Sequence, residues 1–420
     1  MSLHFFLANK KKVSSPSLDQ CRERSNAAAM PPKKKGKKGL PPGALYHEER
    51  KYFKLLFCGK EFPAGAEETR RALEKEEAVG NCEFRFVQCA REDVAREIVD
   101  ADIAVPLMTK IDDALLSKAN NLKLVLQFGV GLEGVDEEAC TKRGILLARI
   151  PSEKTGNADS TAEMAVYLLL AALRRVNQLA RSLEDRKLGE PCTVQLKGKI
   201  VTIVGWGHIG KEVARRLRSF KCKLQAARKS EWPKEEQDFL LYDEEVRPLD
   251  DIKWIKNSDA VVICANQTKE NMGMINDEFM SHMKPGAVLV NIARGGLFNK
   301  THVLNALNDG RLGYLASDVA WQEPVDPADP LVSHERAYFT PHVGGVTDAS
   351  YECMGAIVAK TAWSLQADPW LGETTVVGLS PELRYMVDEI MLVNANLPVL
   401  PGEPKGPCVD IEKCRKRLRC

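Results

Sequence analysis

No uninterrupted apolar run in this chain is longer than Met164 to Leu173. That is half the length needed to cross a bilayer, so a soluble protein with no membrane span is expected. Charge of one sign is also missing, since 60 Lys and Arg stand against 58 Asp and Glu. The net charge of +2 gives no general pull towards nucleic acid or an acidic surface. Metal-ligand spacing is absent as well: Cys408, Cys414 and Cys420 are six residues apart, unlike the paired cysteines of a zinc site. No metal is expected. Nor do the 12 cysteines suggest a disulfide framework, because Cys58, Cys89 and Cys264 fall inside apolar, strand-like runs. A reduced cysteine packs there as a small hydrophobe. Free thiols in a reducing compartment follow, and a cytoplasmic address with them.

Residues 1–50 have little apolar patterning. Lys10-Lys11-Lys12 and Lys33-Lys34-Lys35 alternate with Ser, Pro, Gly and Asn. Such a segment buries too little surface to offset chain entropy, so a disordered basic tail is expected. A solvated extension, an organelle transit peptide and a nuclear-localisation patch all remain open for it. The scarcity of acids before Met30 suits the transit peptide, whereas the short length and weak amphipathic pattern do not.

From residue 51 onward, short apolar runs alternate with helical stretches, the rhythm of a parallel α/β protein. The first half offers strands at 54–58, 84–87, 103–105, 122–126 and 145–147. Ser160-Thr161-Ala162-Glu163 reads as a capping box opening a helix of about 20 residues, apolar nearly all round and so buried between layers. Six more strands are expected at 200–204, 224–226, 260–264, 288–291, 314–317 and 338–340. One helix follows from Ala349 to Gln366 and another from Pro381 to Leu392. Two doubly wound sheets result.

Chemistry enters at Lys199-Ile200-Val201-Thr202-Ile203-Val204, which runs into Gly205-Trp206-Gly207-His208-Ile209-Gly210. Gly205 permits the turn out of a strand, Gly207 lets backbone approach a pyrophosphate, and Gly210 lets a helix pack close. The helix from Ile209 presents amides to the phosphates, and His208 serves through its backbone. Eighteen residues past Gly210, where a carboxylate would bind the ribose hydroxyls of NAD, stands Arg228, with Lys229 and Ser230 after it. Two cations and a hydroxyl suit a 2′-phosphate, so NAD(P)(H) is expected with NADP(H) favoured. A solvated basic loop is the bland alternative.

Downstream, Arg294 lies in Asn291-Ile292-Ala293-Arg294-Gly295-Gly296, Glu323 in Asp318-Val319-Ala320-Trp321-Gln322-Glu323-Pro324, and His342 in Thr340-Pro341-His342-Val343-Gly344-Gly345. A guanidinium fork holds a carboxylate and polarises an adjoining carbonyl. Imidazole titrates near neutrality and can exchange a proton with the carbonyl oxygen. A carboxylate beside that ring orients it and favours its protonated form. Taken singly, each residue is more often a surface partner or a strand end. In frames separated by 29 and 19 residues and downstream of the glycine turn, they read together as a site for 2-oxo acids.

The order and frames of these motifs resemble the D-isomer-specific 2-hydroxyacid dehydrogenases, over roughly residues 101–364. The resemblance implies a Rossmann cofactor domain (158–342) inserted in a flavodoxin-like substrate domain (51–157 and 343–368), with 1–50 and 369–420 as extensions. It makes Arg294, Glu323 and His342 the catalytic set. It brings Cys264, Ala265, Ile292, Ala293, Asp318 and Gly344 to the cofactor, and the amides of Val130 and Gly131 to the substrate carboxylate. Cys264 and Asn266 depart from the residues usual in their frame, which puts the adenosine contacts in doubt. Pro106 and Leu107 stand where phosphoglycerate dehydrogenases carry an arginine, which points to glyoxylate, hydroxypyruvate or a similar small oxo acid. A homodimer is implied. A corepressor of the C-terminal-binding-protein type keeps the same three frames and is the alternative; formate oxidation is disfavoured by Glu323.

Overall fold

Thirteen strands appear among the residues that the computed structural model describes, which are 52–75, 83–229, 244–246, 252–367 and 390–394. In chain order they are β1 (Tyr52–Cys58), β2 (Glu83–Cys89), β3 (Ile103–Pro106), β4 (Leu124–Gln127), β5 (Leu146–Arg149), β6 (Ile200–Val204), β7 (Lys223–Ala227), β8 (Glu244–Val246), β9 (Ala260–Ile263), β10 (Ala287–Asn291), β11 (Leu312–Ser317), β12 (Ala337–Phe339) and β13 (Met391–Leu392). The expected basic tail, Ser230 and most of the carboxyl-terminal extension lie outside the described residues.

The strands form two sheets, ordered β13-β5-β4-β3-β1-β2 and β12-β11-β10-β9-β6-β7-β8. All pairs are parallel except β13 with β5. Leaving β13 aside, the first sheet has the flavodoxin order. The second winds outward from β6 in both directions, as a Rossmann sheet does. Parallel sheets are covered on both faces, so their strands read as continuous apolar runs rather than alternating ones. Leu55, Leu56, Phe57 and Cys58 are all fully buried, and every residue of β10 is buried.

Four helices flank the site, α1 (Pro63–Lys75), α2 (Asn157–Leu173), α4 (His208–Arg218) and α5 (Asp348–Ala367), and α3 (Val176–Glu184) follows α2 away from it. The chain leaves the first sheet after β5, and α2 packs Ala162, Ala165, Leu168 and Leu169 into the core of the second sheet. After β12 it returns. Helix α5 sets Tyr351, Met354 and Val358 in one cluster with Ala66 and Leu73 of α1 and with Leu55 and Phe57 of β1. Gly355 allows that return, because a Cβ there would lie 2.8 Å from the Glu68 backbone.

Three local expectations need correction. Helix α2 begins at Asn157 after Gly156 in the left-handed region, φ 72°, so Ser160 lies inside the helix instead of capping it. Its hydroxyl bonds back to the Gly156 carbonyl at 2.8 Å, the alternative open to any helical serine, and meets the Thr347 hydroxyl at 2.7 Å. The second sheet has a seventh strand, β8, whose Glu-Glu-Val sequence lacks an apolar run because it pairs at the edge with β7 alone. The helix expected at 381–392 falls largely outside the described residues, and its last two residues form β13 instead. There Asn394 ties the segment to the sheet: its side chain accepts from the Leu147 amide at 2.7 Å and donates to the Ile145 carbonyl at 2.8 Å. No described helix is long and apolar enough to cross a membrane.

Candidate active site

A cleft of about 440 Å³ lies where the carboxyl ends of strands from both sheets meet, the place where doubly wound sheets bind ligands. The first sheet lines it with Phe62, with Leu107 to Thr109 after β3, and with Gln127 to Gly131 after β4. The second contributes Ile292 and Arg294 after β10, Asp318 and Glu323 after β11, and His342 after β12. The three residues of the expected catalytic set therefore share one cavity, together with Val130, Gly131 and Ile209.

Arg294 is turned into the cleft by the end of its own strand. Asn291 is fully buried; its side-chain oxygen accepts from the Ala293 amide and its nitrogen donates to the Arg294 carbonyl, both at 2.9 Å. This local loop bends the chain as β10 ends. The next residue must be glycine, since a Cβ on Gly295 would lie 1.9 Å from the Ala320 carbonyl carbon. That close approach brings the Arg294 loop against the loop carrying Glu323.

Glu323 accepts from the Ala320 amide at 2.9 Å through Oε1 and from His342 Nδ1 at 2.7 Å through Oε2. Burial pushes its carboxyl pKa up, but the hydrogen bond and charge of His342, then the Ala320 amide and the Arg294 charge, outweigh this and hold it below the ordinary value. An ionised carboxylate only accepts, so Nδ1 carries the hydrogen and Nε2 is the nitrogen left for proton exchange. Phe62 covers the ring edge-on, with centroids 5.6 Å apart and an 87° interplanar angle.

His342 itself sits at φ 56°, a left-handed conformation that a non-glycine residue holds only when its surroundings impose it. Asp318 imposes it. This aspartate is 2% exposed; Oδ1 accepts from Thr340 Oγ1 at 2.5 Å and the Val343 amide at 2.9 Å, and Oδ2 from the Gly344 amide at 2.7 Å. Its backbone carbonyl accepts from the His342 amide at 2.8 Å. One buried carboxylate thus grips both sides of the histidine, and Gly344, expected at the cofactor, spends its amide on that grip.

The glycine turn has the shape its sequence implies. Gly205 stands at φ 104°, and a Cβ on it would meet the Ala265 nitrogen at 2.5 Å; one on Gly210 would meet the Gly205 carbonyl oxygen at 2.2 Å. Gly207, by contrast, has nothing within 4 Å of the corresponding position. The turn leaves open space beside Gly207 at the start of α4, which fits a pyrophosphate on the helix amides. The His208 ring points elsewhere, its Nε2 3.5 Å from Glu153. Arg228, partly exposed, and exposed Lys229 follow directly on β7, while Cys264 and Ala265 follow β9 beside Gly205. Ala293 is buried, and its carbonyl accepts from Arg294 Nη1 at 2.7 Å.

Of the cleft residues that the sequence did not single out, two touch the side chains of the expected catalytic set with their own. Phe62 carries a positive φ of 54° just before Pro63 opens α1; the Phe-Pro pair marks a helix start but not where the ring points. Glu133, in the loop after β4, bonds Arg294 Nε at 3.2 Å.

Residues 166–344 match the family model described as the NAD binding domain of D-isomer specific 2-hydroxyacid dehydrogenase. The chain is 34% identical over 283 residues to the glyoxylate reductase of Pyrococcus furiosus, covering 64% of this chain and 81% of that one. It is 32% identical over 274 residues to the D-3-phosphoglycerate dehydrogenase of Archaeoglobus fulgidus, and there it spans 64% of this chain but only 50% of the relative. Among solved structures, the TT0316 protein from Thermus thermophilus superposes with a TM-score of 0.63 at 25% identity, over 75% of this chain and 97% of that one.

The grip of Asp318 on the histidine loop generates a prediction. Asp318→Ala leaves the part-buried Val343 amide and the buried Gly344 amide without their acceptor, and hydrogen bonds to a charged group contribute ~1.5–3 kcal/mol each. We expect stability to fall by ~2 kcal/mol or more in urea unfolding and turnover to fall at least about tenfold as His342 leaves its strained conformation. Wild-type turnover in this variant would show that the loop holds its shape without the aspartate.

Proposed function

The chain belongs to the D-isomer specific 2-hydroxyacid dehydrogenase family, and from that premise we propose that it interconverts a small, unphosphorylated 2-oxo acid and its D-2-hydroxy acid, with NADP(H) as the preferred cofactor. The observation that carries this reading is the pairing of His342 Nδ1 with Glu323 at 2.7 Å in the cleft that Arg294 also lines.

In this reading the amides of Val130 and Gly131 and the Arg294 guanidinium hold the substrate carboxylate. Arg294 also polarises the 2-carbonyl, its fixed charge facing the negative charge that develops on oxygen. His342 Nε2 delivers the proton to that oxygen in reduction and removes it in oxidation, while Glu323 keeps the ring oriented. The nicotinamide, when bound, supplies or accepts the hydride. Arg294 is the only arginine or lysine among the described residues that line the cleft. Where a phosphoester would need further cations, the wall after β3 offers Leu107 and Met108. Glyoxylate and hydroxypyruvate carry one carboxylate and no phosphate, and so match this charge count.

Arg228 and Lys229, directly after β7, support the cofactor preference, for a 2′-phosphate there meets two cations. Glu270 is also close: a Thr268 hydrogen bond is the main cause of its lowered pKa, and the Lys229 charge contributes. We further propose that two copies associate through α3. None of its residues is buried, and Leu183 and Leu188 nearby are 82% and 101% exposed.

Three measurements test these statements. With a panel of 2-oxo acids, His342→Ala should lower turnover by ~10²–10⁴-fold, the range for lost general acid–base catalysis, and leave cofactor affinity nearly unchanged in fluorescence titration. Unaltered turnover would remove the histidine from the reaction. For the cofactor, charge-assisted bonds worth ~2–3 kcal/mol correspond to a preference on the order of 30- to 150-fold for NADPH, shrinking as salt rises. Arg228→Asp should reverse it, and equal use of NADH by the wild type would mean that Arg228 serves the solvent. For assembly, sedimentation should find a dimer that Leu183→Glu with Leu188→Glu converts to monomer; a monomeric wild type would sink the proposal.

A further inference from the structure

We propose that Glu133 is a positioning residue for Arg294, aligning the guanidinium for the substrate carboxylate from across the cleft; this rests on the reading of Arg294 as the carboxylate anchor. Glu133 follows β4 of the first sheet and Arg294 follows β10 of the second, so their bond joins the two walls of the site. The Arg294 donors are divided in a way that suits the role. Nε is given to Glu133 Oε1 at 3.2 Å and Nη1 to the Ala293 carbonyl at 2.7 Å, while among the described residues no hydrogen bond falls on Nη2. With its Nε edge held, the fork turns its Nη1–Nη2 edge outward, the geometry that grips a carboxylate through two parallel bonds.

A second observation fixes where that edge lies. A Cβ built on Gly131 would fall 2.1 Å from Arg294 Nη2 and 2.5 Å from Glu133 Oε2. The ion pair therefore rests on the face of Gly131, with Nη2 beside the glycine loop whose amides are the other half of the proposed carboxylate site. Arg149 steadies that loop from behind, donating from Nη1 to the Val130 carbonyl at 3.1 Å. A carboxylate spanning the loop amides and the guanidinium thus finds both at fixed places only while Glu133 holds Nε.

The opposite role is also chemically available: Glu133 could compete with the substrate for Arg294. The two roles predict effects of opposite sign. Binding of oxamate, a 2-oxo acid analogue that accepts no hydride, is measured by fluorescence on the NADPH-loaded enzyme, with steady-state KM alongside. Positioning predicts that Glu133→Leu weakens oxamate binding and raises the 2-oxo acid KM about three- to tenfold, the scale of a partly exposed ion pair, with the NADPH dissociation constant unchanged. Glu133→Gln should recover most of the loss, because its amide oxygen still accepts from Nε. In an Arg294→Ala background the Glu133→Leu change should have no further effect, since the residue acts only through the arginine. Tighter oxamate binding in Glu133→Leu would identify a competitor and overturn the proposal. An equal loss with and without Arg294 would overturn it too, as an effect on the loop itself. If Arg294→Ala alone leaves oxamate binding intact, the anchor assignment fails first and the proposal falls with it.

Discussion

A buried carboxylate, Asp318, is the constraint from which the site is built. It closes a short loop by accepting from Thr340, Val343 and Gly344, and that loop contains the histidine. A buried charge is costly unless it is hydrogen-bonded, so the aspartate and the loop require each other. The result is a histidine whose backbone is held at an unfavourable φ. Glu323, bonded to Nδ1, then sets the direction of the ring and which nitrogen carries the hydrogen.

Much of this was legible in the sequence, for a physical reason. Arg294, Glu323 and His342 lie just past three successive strand ends, and strand ends are where a doubly wound sheet places its chemistry. Residue type, frame and spacing therefore pointed to three residues that line one cleft. The glycine turn was legible from its spacing, although only Gly210 answers a demand from that turn itself, while Gly205 and Gly295 make room for Ala265 and Ala320 far along the chain. Eleven of the thirteen described strands were readable from their apolar runs, all but β8 and β13.

What stayed hidden depends on contacts between distant segments. Phe62 reaches His342 only because α1 is docked on α5, which comes from the far end of the described chain. Glu133 reaches Arg294 across the cleft. Ser160 misled because a serine at a helix start can bond forward or backward, and Thr347 rewards the backward choice. β8 has no apolar signature since an edge strand pairs on one side only, and β13 borrows its order from Asn394 and the edge of β5.

The chain passes between the two sheets twice, once entering α2 and once entering α5, and the two passages touch. A Cβ on Gly156 would lie 3.6 Å from the Ser350 backbone, and the Ser160 and Thr347 hydroxyls are 2.7 Å apart. Two threads bound side by side tie the sheets along a line rather than at a point, and a second tie removes the free twist that a single thread would leave. Asn157 and Gly345 belong to that seam, where a Cβ on Gly345 would lie 2.3 Å from the Asn157 side chain, so the back of the cleft and the joint between the sheets are the same piece of chain.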